Sequence, residues 1–246
     1  MGGIVQSSNV SIAVGSSKMP AYLARPDSPG AAPAVLLLQE IFGVTAEMRR
    51  IADLVASAGY VGLAINYYHR HDPNLDLQYN DEGIAKGRAA AATVTRESIG
   101  ADIRAAIDWL NAQDFVRQSH IATWGFCAGG SMAFFSSMQR GVSAAICFYG
   151  GQIAKPLHSG GAPLIEEVDK VHAPLLLIFG GKDQSIPPED VERIDKALSG
   201  AKKQFYIHTY PNEGHGFFRK SSEDFANADV KDAWTRVQQF LKQTLA

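Results

Sequence analysis

The sequence predicts an α/β fold, a mostly parallel, doubly wound sheet with helices on both faces. Three observations lead there. Six short, mostly apolar runs are bounded by turn residues, at 34–39, 61–66, 120–125, 142–150, 174–181 and 203–211. Runs apolar on both faces belong to a parallel sheet covered on two sides. Stretches of helical periodicity lie between several of them, and strand–helix alternation generates right-handed crossovers stacked into one layered sheet.

The elements follow in order. The first 30 residues, with "SIAV" and "AYLAR", read as antiparallel strands added at an edge. After "AVLLLQ" a helix starts near Thr45. Met48, Ile51, Leu54, Val55 and Ala58 share one stripe of it, and Gly59 stops it. "VGLAIN" is the next strand, followed by the longest irregular stretch, roughly 67–82. A second helix carries Ile99, Ile103, Ile107 and Leu110, and the last carries Val230, Trp234, Val237 and Leu241, which dock it on the sheet. A chain of 246 residues buries one such core, so a single domain over 1–246 is expected.

Bulk properties exclude several functions. A formal charge of −2 gives no basic footprint for nucleic acid or anionic lipid. Two cysteines, Cys127 and Cys147, build neither a disulfide framework nor a four-ligand zinc site. "MGGIVQSSNV" lacks the basic and apolar regions of a secretory leader, and no apolar run is long enough to span a bilayer. A cytoplasmic protein acting on a small molecule, without membrane, nucleic acid or cofactor, is the expectation.

"Gly125-Phe126-Cys127-Ala128-Gly129" carries the chemistry. It has the form glycine–x–nucleophile–x–glycine, with a strand before it and a helix-like run after it. A strand turning at once into a helix strains the central residue and crowds the positions two before and two after, which glycine relieves. The turn also sets the sulfur at a helix N-terminus, where unpaired N–H groups favour a thiolate. Cys147, mid-strand and without glycines, reads as core filling. A nucleophile on such an elbow needs an acid and then a histidine, in that chain order. "FGGKDQSIP" supplies Asp183 and "YPNEGHGFF" supplies His215, each just past its strand. The nearest alternatives to Asp183 are Asp169, before the strand, and Asp190, inside the following helix. Glu40, in "LLLQEIFGVT", is a charge at the end of a buried strand and requires a partner. Arg219, four residues past His215, is near enough to clamp a carboxylate.

"QEIFGV", "GFCAGG", "GGKDQSIP" and "GHGFFR", in this order and spacing, resemble the dienelactone hydrolases (carboxymethylenebutenolidases) over about residues 15–245. The resemblance implies an α/β-hydrolase that opens the lactone ring of a carboxylate-bearing dienelactone to maleylacetate. In that pattern Cys127 attacks the carbonyl, His215 carries protons and Asp183 holds its tautomer. The Ile41 and Ala128 amides form the oxyanion hole. Glu40 pairs with the resting thiol and Arg219 until the substrate carboxylate takes the arginine. Substrate-binding residues on this reading are Arg219, Phe42, Tyr68 and Arg70. One departure is clear: "INYYHRHDP" stands where members carry a "P-D-L-Y" type sequence, so the second substrate-binding arginine has no firm match. Arg70 and Arg88 are the available cations, with Tyr67, Tyr68 and Tyr79 as aromatics, and "HRHD" reads as a polar loop at the pocket rim. A general esterase or thioesterase, or a ligand-binding homologue without turnover, are the competing functions.

Overall fold

The structure, a computed structural model, describes residues 4–221 and 226–246. The first three residues of the N-terminal stretch inspected for a leader lie outside this range. Eight strands form one sheet: β1 (Val5–Val14), β2 (Ser17–Pro26), β3 (Ala32–Leu38), β4 (Val61–Ile65), β5 (Val116–Phe126), β6 (Ala144–Phe148), β7 (Leu175–Gly180) and β8 (Phe205–Tyr210). Their spatial order is β1-β2-β4-β3-β5-β6-β7-β8. β1 and β2 pair antiparallel at one edge, and every pair from β4 to β8 is parallel. The all-apolar runs became the central strands because both their faces are covered: β4, β6 and β7 are buried at every position.

The main helices are α1 (Ala46–Ser57), α2 (Asp81–Ala91), α3 (Arg96–Asn111), α4 (Ala128–Ser136), α5 (Pro188–Gly200), the short α6 (Phe217–Ser221) and α7 (Ala228–Thr244). Thr45 caps α1 by accepting from the Met48 amide, and Gly59 takes φ +92° just beyond it. α7 docks as its periodicity requires, with Trp234 stacked on Trp124 of β5 at 5.8 Å and 12°.

α2 corrects the sequence reading, which left its first residues in an irregular stretch and proposed no helix there. Its interior glycines look like breakers, yet they are sites of close approach. A Cβ at Gly83 would stand 1.9 Å from the Gln78 carbonyl oxygen, and one at Gly87 would stand 2.5 Å from that of Ile41. α2 therefore lies directly against the loop that follows β3.

The parallel strands all end on one edge of the sheet, where ligands of such sheets bind. Glu40 follows β3, Tyr67 and Tyr68 follow β4, Cys127 follows β5, Tyr149 follows β6, Asp183 follows β7 and His215 follows β8.

Candidate active site

Cys127 joins β5 to α4 with φ +56° and ψ −118°, a region that costs a non-glycine residue roughly 1–3 kcal/mol. Its amide donates to the Phe148 carbonyl at 3.0 Å, and its carbonyl accepts from Gly130 at 3.0 Å, which starts the helix. The flanking glycines are required by contact. A Cβ at Gly125 would meet the Gly129 oxygen at 1.8 Å, and one at Gly129 would meet the Leu38 oxygen at 2.1 Å. Cys127 is half-buried at the helix N-terminus, whereas Cys147 lies wholly inside β6, where burial pushes its thiol pKa up.

The histidine is brought in by the loop after β8. His215 Nδ1 lies 2.7 Å from Asp183 Oδ2, while Asp183 Oδ1 accepts from the Ser185 amide at 2.8 Å. Asp183 is 6% exposed. Burial opposes a charged imidazole at His215, but the hydrogen bond to Asp183, with the influence of the nearby Cys127 side chain, outweighs it. The pKa is pushed up to about 10. The loop is anchored just beyond His215, because Phe218 of α6 packs against Phe148 at 5.1 Å and Trp124 at 5.5 Å.

Glu40 is 3% exposed, and both its oxygens accept from Arg219 Nη1, at 3.0 and 3.1 Å. Burial raises the Glu40 carboxyl pKa, and the charge and hydrogen bonds of Arg219 offset only part of that rise. The guanidinium lies 4.2 Å from the Tyr79 ring centroid and 5.8 Å from that of Phe42, inside cation–π range. The Ile41 amide donates to no backbone carbonyl among the described residues, and the Ala128 amide opens α4 with no carbonyl of its own helix to reach. Two N–H groups are thus without a backbone acceptor, one just past Glu40 and one just past Cys127.

Arg70 departs from the expected arrangement. It makes two hydrogen bonds to Asp102 of α3, both 2.9 Å, and His69 Nε2 meets the same carboxylate at 3.1 Å. Asp102 is fully buried and needs both partners. The "HRHD" loop is therefore a partly buried ionic anchor and not simply a polar rim. Tyr68 does face a small pocket beside Ala128, shared with Tyr67, Met132, Gln152 and His158. A cavity of about 460 Å³ bounded by Tyr22, Arg49, Asn66 and Leu75 holds none of these groups, so the site is defined by its chemistry and not by size.

Two further residues belong to this surround. Tyr79 covers Arg219 and hydrogen-bonds Thr45 at 2.8 Å. Tyr149 sits at φ +40°, with its ring centroid 5.1 Å from that of His215. Tyr149 had a signal in sequence, as the residue before a glycine pair at a strand end. Tyr79 had none beyond being aromatic in the right region.

This sheet order, with an elbow, an acid and a histidine following the parallel strands β5, β7 and β8, marks an α/β-hydrolase-fold enzyme of the ester- and lactone-cleaving kind. The family profile "Dienelactone hydrolase family" matches residues 19–245, and the chain belongs to that family. Among its relatives, a protein named "Putative carboxymethylenebutenolidase" from Synechocystis sp. is 33% identical over 224 residues, covering 91% of each chain. A carboxymethylenebutenolidase from Pseudomonas sp. (strain P51) is 30% identical over 233 residues, covering 94% of this chain and 92% of that one. A crystal structure described as a "Putative Dienelactone Hydrolase" from Klebsiella pneumoniae superposes with a TM-score of 0.88 at 28% identity, covering 98% of this chain and all of that one. Among the described residues no helix is long and apolar enough to cross a membrane.

Proposed function

We propose that the chain is a cysteine hydrolase that opens the ring of a carboxylate-bearing dienelactone to maleylacetate through an acyl-enzyme. The observation that carries this reading is the hydrogen bond of His215 to Asp183 on the strand-end edge that also presents the Cys127 elbow, alongside the buried Glu40–Arg219 pair. Substrate carboxylate takes over the Arg219 guanidinium, which releases Glu40 to accept the thiol proton. The Cys127 sulfur attacks the lactone carbonyl, and the new oxyanion is held by the Ile41 and Ala128 amides. The ring C–O bond then breaks, and the enol oxygen leaves with a proton from His215 and ketonises. Water, deprotonated by His215, hydrolyses the thioester and returns the thiol. Asp183 keeps Nδ1 protonated throughout, so that the other ring nitrogen does the proton transfer. A thiolate is a good leaving group, which suits activated esters and disfavours amides.

A broader esterase on small activated esters is the second reading. It is favoured by Arg70, whose engagement with Asp102 leaves the acid-recognising role to Arg219. Purified protein assayed with cis- and trans-dienelactone beside p-nitrophenyl acetate separates the two. A kcat/KM for dienelactone at least 100-fold above the aryl ester supports the specific reading, and comparable values sink it in favour of the broader one.

A further inference from the structure

We propose that Lys155 is a positioning residue, which braces the turn holding the triad acid against the helix that carries the nucleophile. The segment after β6 is fastened at two points. At one end the Gln152 amide donates to Ser131 Oγ at 2.9 Å, and Ser131 is fully buried on α4, four residues past Cys127. At the other end Lys155 Nζ donates to the Ser185 carbonyl at 2.9 Å. The amide of that same Ser185 holds Asp183 Oδ1 at 2.8 Å, and Asp183 Oδ2 holds His215 Nδ1 at 2.7 Å. A continuous path of contacts therefore runs from the nucleophile helix through residues 152–155 to the acid and the base.

An exposed lysine pair is ordinarily worth little, and the Lys155 side chain is 45% exposed. Its partners make the difference. Asp190, at the start of α5, is 6% exposed, and its Oδ2 lies 2.8 Å from Lys155 Nζ, while Oδ1 accepts from Arg193 at 3.2 Å. A carboxylate this buried needs its cation. The ion pair holds the ammonium beside Asp190, and the hydrogen bond that Nζ donates goes to the Ser185 carbonyl. The turn 183–187, Asp-Gln-Ser-Ile-Pro, links β7 to the proline-led α5, with Ile186 buried on one side and the half-exposed lysine bonded to Ser185 on the other. The same segment continues to Leu157 and His158, which wall the pocket beside Ala128. A shift in the brace would thus move pocket wall and acid together.

This inference rests on the cysteine-hydrolase reading, and its test separates the two. Lys155→Met, Lys155→Arg and Ser131→Ala are compared with wild type on p-nitrophenyl acetate. The His215 Nδ1 proton resonance, which reports the bond to Asp183 without turnover, is recorded for each. Lys155→Met is expected to lower kcat roughly tenfold or more, since misplacement of catalytic groups by about 1 Å costs up to ~100-fold. KM should stay within about twofold, and the Nδ1 proton should move upfield. Lys155→Arg should restore most of the rate and the resonance. The Ser131→Ala and Lys155→Met effects should be non-additive, as expected of two ends of one brace. Unchanged kcat and resonance in Lys155→Met would overturn the proposal, whatever happens to its thermal midpoint. Wild-type protein that hydrolyses no ester counts against the function, while the resonance still decides the brace.

Discussion

Arg219 rests Nη1 on both oxygens of Glu40, at 3.0 and 3.1 Å, so that a nearly inaccessible carboxylate is matched by a cation closer to solvent. Removing the cation leaves Glu40 charged, buried and short of its guanidinium, which for buried pairs costs about 3–5 kcal/mol. Arg219→Met should therefore destabilise more than Glu40→Gln, in urea unfolding at neutral pH. The sign with pH is also fixed. Burial already sets the Glu40 pKa above its ordinary value, and loss of Arg219 raises it further. A carboxyl with a raised folded pKa binds more protons folded than unfolded, so stability falls as pH climbs through that range. The deficit of Arg219→Met relative to wild type should be larger at pH 8 than at pH 4. Equal deficits would show that the pair carries no buried charge.

The same arginine sets a selectivity prediction. A charge-assisted hydrogen bond is worth about 1.5–3 kcal/mol, or roughly 10- to 100-fold. Arg219→Ala should lose about that much kcat/KM on carboxylate-bearing lactones and only a few-fold on neutral aryl esters. Parallel losses on both would refute a carboxylate clamp.

His215 provides a titration that can be followed directly. Its folded pKa, pushed up to about 10, lies above the value of about 6.5 for an unperturbed histidine. A raised histidine pKa contributes stability that is complete below about pH 6.5 and is lost as pH rises toward about 10. NMR of the ring should show the imidazolium persisting well above neutrality in wild type. Cys127→Ala and Asp183→Asn each remove a group that favours the charged imidazole, so each should lower the midpoint. A midpoint unmoved by both substitutions would mean that the imidazole is not held between them.

Much of the site could be read from sequence because its constraints are local. Gly125 is demanded by a backbone collision within the turn and Gly129 by the carbonyl of Leu38 at the end of the neighbouring strand, and the two together leave a motif of fixed spacing. The central strands were legible for a related reason, since burial on both faces removes polar residues from the run. What escaped depends on approach between segments that the chain pattern does not bring together. Gly83 and Gly87 look like breakers along the chain, and only contact with Gln78 and Ile41 explains them within a helix. Arg70 looked like a substrate cation because nothing near it in sequence claims it; its partner Asp102 is 32 residues away and buried. The Tyr79–Arg219 contact, between a loop before α2 and a helix after β8, has no sequence signature at all.

The placement of Arg70 has its own test. Both Asp102 oxygens are taken by Arg70, and His69 shares one of them, with no exposure at the carboxylate. Asp102→Ala leaves His69 and Arg70 without their acceptor and should destabilise strongly, by several kcal/mol. Arg70→Met should lower the urea midpoint while leaving KM for carboxylate-bearing substrates within about twofold. A tenfold rise in KM with unchanged stability would return Arg70 to the substrate.

Cys127 combines strain with reactivity, and two substitutions pull these apart. Alanine at this position keeps the φ +56° penalty and removes the sulfur; glycine removes both. Both variants should lose hydrolysis by roughly 1000-fold or more, because no other nucleophile sits at the helix N-terminus. Their stabilities should differ. Cys127→Ala should keep a thermal midpoint within a few degrees of wild type, since the side chain is only half-buried. Cys127→Gly should melt higher than the alanine variant, because relief of roughly 1–3 kcal/mol of strain exceeds the ~0.5–1 kcal/mol entropic cost of a glycine. Retention of wild-type rates in Cys127→Ala would end the nucleophile assignment. A glycine variant that melts below the alanine one would show that the elbow is unstrained, and that the sulfur is aimed by packing against its neighbours.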